Sequence, residues 1–189
     1  MRMICRRTAI VFAFASLAGF AIVAAPQKAA AASPEEIDFR ARETLDQLFW
    51  KVRGSRELIA RSAGVLVFPR VYKAGFGFGG EYGEGALIHR DRTIDYYNTV
   101  SASFGFQLGA QARSVVIAFM TPDALDAFRA VNGWKVGVDG SVALITVGGG
   151  ASIDTTRVAE PVVGFIFDNK GLMYNLTLEG SKISRIYPY

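Results

Sequence analysis

Between Ser33 and Val52, apolar side chains recur at spacings of three and four, through Ile37, Ala41, Leu45, Leu48 and Val52. That period marks one face of an amphipathic helix. Its start is written locally. Ser33 caps, Pro34 takes the first helical position, and Glu36 stands where a capping-box carboxylate belongs. Phe39 and Trp50 fall off the stripe and, at about 100° per residue, project together from nearly the opposite side. Gly54-Ser55 interrupts the helix, and residues 56–62 offer another short helical piece ending at Gly64.

From Val65 onward the signals are mostly strands. Val65-Leu66-Val67-Phe68 is a buried-type run stopped by Pro69. A series of alternating glycines and aromatics follows, from Ala74 through Phe76, Phe78 and Tyr82 to Leu87. Glycine weakens a strand, so a series of them marks bends or close approach by another backbone or a ligand. His89-Arg90-Asp91-Arg92 reads as a turn before strand candidates at 93–100, 101–108 and 114–120. Thr121-Pro122-Asp123 opens a short helix through Val131, closed by Asn132-Gly133. Asp139-Gly140 then separates 134–138 from 141–147, a two-residue hairpin signal. Runs 162–167 and 172–178 flank Asp168-Asn169-Lys170-Gly171, and a last strand covers 182–186. These elements predict an α+β fold. Its antiparallel sheet is strongly curved or nearly closed, barrel-like or a sandwich, with an N-terminal amphipathic helix and one short internal helix. An outer-membrane barrel fits less well, because 115–120 and 162–167 are apolar on both faces.

Composition matters most at the N-terminus. Arg2, Arg6 and Arg7 precede an uncharged apolar run over 9–25, and Ala29 to Ala32 supply small residues, the layout of a secretory signal peptide. The alternative is an uncleaved anchor, for which the run is slightly short of the roughly 20 residues a span needs. Residues 1–32 are thus read as a signal peptide and 33–189 as a single domain. Loss of Arg2, Arg6, Arg7 and Lys28 leaves basic and acidic residues equal at 17 each. The basic character belongs to the targeting segment, so nucleic acid is not an expected partner. Cys5 is the only cysteine and precedes the apolar run, so the mature domain carries no disulfide or thiolate site.

Candidate chemistry is sparse. Gly75-Phe76-Gly77-Phe78-Gly79-Gly80 formally matches a dinucleotide fingerprint, but Glu81, Tyr82 and Glu84 make a poor helix start after it. Glu81 and Glu84 could serve a carboxylate-based hydrolase only if the strand bends, since their spacing sets them on opposite faces. Solvated turn charges are the plainer reading. His89 is the sole histidine, and no Ser–His–Asp or metal constellation emerges. The chain is therefore expected to be no enzyme and to carry no cofactor or metal.

Several segments together resemble the SYLF domain family. They are Ala63-Gly64-Val65-Leu66-Val67-Phe68-Pro69 with the glycine-rich run, residues 134–143 from Trp134 to Ala143, Asp168-Asn169-Lys170-Gly171-Leu172, and Leu178-Glu179-Gly180-Ser181. The resemblance spans about residues 36–187 and implies membrane-lipid association, with actin binding in some fungal members. Animal members look like phosphoinositide binders that use an amphipathic helix at the domain's start, which corresponds here to residues 33–62. An export signal makes actin an unexpected partner for this chain.

Along that helix the charges are segregated. Glu35, Glu36, Asp38, Glu43 and Asp46 come early, and Lys51, Arg53, Arg56 and Arg61 come late. One reading places the basic end beside Phe49 and Trp50 against anionic headgroups. The other lets the charges complement the helix dipole while the apolar stripe packs on the sheet. The expectation is an exported, non-catalytic lipid-binding protein, periplasmic or secreted and able to associate with a membrane. Its lipid contacts are Phe49, Trp50, Arg53, Arg56 and Arg61, with Arg70 and Lys73 secondary. The alternative is a structural or protein-interaction domain of the cell envelope, with an envelope protein as partner and no direct lipid contact.

Overall fold

The computed structural model describes residues 32–147, 160–170, 178 and 180–188. The expected signal segment, apart from Ala32, and most of the expected strand at 172–178 lie outside the described residues.

Helix α1 (Pro34–Lys51) starts where its capping signal stands, with the Ser33 hydroxyl accepting from the Glu36 N–H at 3.3 Å. Gly54, in the left-handed region at φ 86°, turns the chain into α2 (Ser55–Arg61).

Two long antiparallel strands follow, β1 (Gly64–His89) and β2 (Arg92–Phe119). They are joined at Arg90 and Asp91, whose φ values of 48° and 63° suit the tight turn that matches strand twist. Pro69 does not stop the first strand. The chain continues past it through a register shift between Phe68 and Val71, and a bulge tolerates the missing N–H. That bulge also changes the strand's phase. Phe68 and Val71 enter the same core cluster although an odd step separates them. Further on, β1 folds back on itself. A Cβ at Gly75 would lie 2.5 Å from the Gly79 Cα, and one at Gly85 would overlap the Val67 carbonyl oxygen. Close approach of backbone to backbone is what the glycines permit.

Helix α3 (Pro122–Ala130) is capped by the Thr121 hydroxyl, which accepts from the Ala124 N–H at 3.2 Å. Strands β3 (Trp134–Lys135), β4 (Ala143–Thr146), β5 (Val162–Lys170) and β6 (Lys182–Ile186) complete the sheet. β5 pairs with β2 over Ala112–Phe119, and β6 pairs with β2 over Tyr96–Val100, both antiparallel. The bends make the sheet a strongly curled half-barrel in an α+β fold. The expected hairpin across Asp139-Gly140 is absent. β3 joins β6, and β4 runs parallel to β5. Asp139 closes a loop instead, its carboxylate accepting from the Lys135 N–H at 2.6 Å.

Each face of the sheet carries its own core. Leu66, Phe68, Val115, Ile117 and Phe119 pack with Leu125 and Phe128 of α3 and with Trp134. On the other face Val65, Val67, Val116, Phe165 and Phe167 pack beneath Ile37, Ala41 and Leu48 of α1, its C-cap Val52, and Leu58 of α2. The apolar stripe of the first helix is thus directed at the sheet.

Candidate functional site

What α1 turns outward is aromatic and charged. Trp50 is 90 % exposed and Phe39 70 %. Phe49 is half-buried, and the Arg56 guanidinium lies 4.3 Å from its ring centroid, a cation–π contact. Arg53, Arg56, Arg61 and Arg70 are exposed, and among the described residues no carboxylate forms an ion pair with any of them. Lys51 differs, since its ammonium pairs with Asp168. Six of the seven expected contact residues therefore lie at or near the surface, and five of them cluster at the C-terminal end of α1 and on α2.

Lys73 stands apart. Its side chain is buried, and its ammonium lies 3.2 Å from Glu81 Oε1. The bulge at Pro69 explains this, because the phase change that turns Val71 inward turns Lys73 inward with it. The Arg113 guanidinium reaches the other oxygen of Glu81 at 2.7 Å, also in the interior. Glu81 is consequently no solvated turn charge but the centre of a buried ion triad that joins β1 to β2. Glu84 faces the other way. It accepts from the Tyr82 hydroxyl at 2.6 Å and from the Ala32 N–H at 3.2 Å. Burial first, and then the Glu84 carboxylate, push the Tyr82 phenol up to about 12. The two carboxylates do not converge on one site. The run Gly75–Gly80 lies wholly inside β1, with no helix after it to receive a pyrophosphate.

A groove with a cavity of about 390 Å³ opens between α1 and the helix-covered face of the hairpin. Arg40, Glu43 and Gln47 line it from the helix, and Arg70, Tyr72 and Lys170 from the sheet. Arg70 donates to the Tyr72 hydroxyl at 3.4 Å, and that contact is the main cause raising its pKa above the usual arginine value. Sequence reasoning found Arg70 but missed Arg40, Gln47, Tyr72 and Lys170. No local signal could have joined them, since the β2–β5 ladder brings Lys170 opposite Ala112 across a long stretch of chain. Among the described residues no group of three or more His, Cys, Asp or Glu side chains is placed to hold a metal. No helix among them is long and apolar enough to cross a membrane.

The family model for Ysc84, a Las17-binding protein actin regulator, matches residues 100–186. Comparison with curated proteins gives no match. Members of this family bind lipids or actin. The matched stretch begins inside β2 and ends with β6, so α1, α2 and β1 precede it. Residues 100–186, which carry most of the half-barrel's later strands, match the Ysc84 family model, whose domain is the SYLF domain that the glycine and apolar motifs resemble.

Proposed function

We propose that the chain is an exported, non-catalytic protein that binds membrane lipids through the tip of α1 and the adjoining α2. The observation carrying this reading is Trp50, a large aromatic left 90 % in water at the end of α1, with exposed Arg53, Arg56 and Arg61 following it in the chain. An aromatic side chain turned to water near basic residues fits the headgroup region of a bilayer interface. The apolar stripe itself packs on the sheet, so the helix does not lie flat in the interface by that face. Glu35 and Glu36 at its other end are exposed and are repelled by anionic lipid, which favours docking tip-first.

Magnitudes are consistent with reversible attachment. Removing one large side chain from water gives roughly 1.5–3 kcal/mol. Each arginine near an anionic surface adds about 1 kcal/mol. The total, about 5 kcal/mol, corresponds to a dissociation constant somewhat under 1 mM. The signal-like N-terminus supports export to the periplasm or beyond, where the lipid encountered is that of the envelope. Mature protein is expected to sediment with anionic vesicles more than with neutral ones, and less as salt rises. Absence from both vesicle pellets would overturn the reading.

A second reading has its own support in the family description, which names a Las17-binding protein and so a protein partner. Under it, the same outward residues meet an envelope protein. Vesicles would then leave Trp50 emission unchanged, and chemical cross-linking in isolated envelopes would capture the chain on a polypeptide.

A further inference from the structure

Three backbone irregularities meet at the groove beside α1. The β1 ladder shifts register between Phe68 and Val71, just where Arg70 enters. The β2–β5 ladder shifts between Ala112 and Ser114, next to Lys170. Asp168, a non-glycine residue inside β5, holds φ at 55°. Bulges re-aim side chains and gather next to functional sites, and left-handed backbone at a non-glycine residue is locally strained. The membrane-tip reading uses none of these features except Arg70.

The groove's charge is uneven. Arg40, Arg70, Arg113 and Lys170 line it against Glu43 and Asp168. Several of these already have partners. Arg40 pairs with Glu36 at 2.5 Å, Asp168 with Lys51, and Arg113 with Glu81. Arg70 and Lys170 are left exposed at its rim, with Glu43 the one lining carboxylate not engaged by a cation in these pairs. Gln47 and the Tyr72 hydroxyl add neutral hydrogen-bonding groups. A lining this rich in polar groups suits a hydrophilic anion better than an acyl chain.

We infer that this groove is a phosphate-ester site, in which Arg70 and Lys170 hold the phosphate while Tyr72 and Gln47 meet the hydroxyl groups of the esterified alcohol. Gln47 and Trp50 are one helical step of three apart and share a side of α1, so the groove opens toward the docking tip. The source of the ester is then a phospholipid headgroup, and for that source the inference rests on the membrane reading. The groove's chemistry does not, because a free phosphate ester presents the same group.

The test titrates the folded chain with glycerol 3-phosphate and follows backbone amide shifts by NMR, alongside vesicle sedimentation. Saturable shifts at Arg70, Tyr72, Ser114 and Lys170 are expected. The Arg70→Gln, Lys170→Gln double variant should weaken them at least about tenfold, the worth of one charge-assisted hydrogen bond. Both side chains are exposed, so the variant should fold, and an unchanged spectrum away from the groove checks that it does. Shifts spread over the surface without saturation, or equal affinity in the double variant, would overturn the inference. Groove binding of glycerol 3-phosphate without vesicle binding by the wild type would sink the membrane reading and assign the site to a free ester. Vesicle binding without groove shifts would do the reverse.

Discussion

The two sides of α1 carry similar residues with opposite fates. Ile37, Ala41 and Leu48 face the sheet and are sealed in its core, while Phe39 and Trp50 project into water from the other side. The cations divide in the same manner. Lys73 and Arg113 are buried on one carboxylate, whereas Arg53, Arg56 and Arg61 are exposed. What separates the groups is phase rather than residue type. Side chains in phase with the sheet hold the fold together. Those out of phase are free to act on something else.

The comparison can be broken most sharply at the buried triad. Replacing Glu81 by Gln leaves Lys73 and Arg113 in the interior without their carboxylate, and a broken buried pair costs about 3–5 kcal/mol. Chemical denaturation should show that loss, and a change below about 1 kcal/mol would mean that water reaches the triad freely. Leu48→Ala comes next, at about 2–5 kcal/mol for a fully buried leucine.

On the outward side the order of effects reverses. Trp50→Ala should alter stability by no more than about 0.5 kcal/mol, yet remove most vesicle binding. A large drop in thermal midpoint with unchanged vesicle binding would place Trp50 with the core population after all. Smallest of these effects is that of Phe39→Ser, because Phe39 stands among Glu35, Asp38 and Asp46, which an anionic surface repels. Its removal should leave sedimentation within about twofold, less than half a kcal/mol.

Much of this division was legible from local pattern. The stripe of α1, its Ser33 cap, the break at Gly54 and the outlying Phe39 and Trp50 all follow from spacing. So does the turn at Arg90-Asp91. The failures share one cause, which is phase or pairing set from a distance. Pro69 reads as a stop, but it sits in a bulge that carries β1 onward and turns Lys73 inward. Asp139-Gly140 reads as a hairpin, but Asp139 caps Lys135 and frees β3 to find β6. The groove was invisible for the same reason. Arg40, Arg70 and Lys170 meet only because α1 lies across the hairpin and β5 returns beside β2.

The most direct measurement is tryptophan emission during addition of anionic vesicles. Trp134 is buried beside Phe128 and should report nothing, while Trp50 should move from water into the interface. A blue shift in the wild type that disappears in Trp50→Phe and persists in Trp134→Phe is the predicted result. Emission that stays constant in the wild type while the protein is in the vesicle pellet, or a shift that survives Trp50→Phe, would contradict docking through the tip of α1.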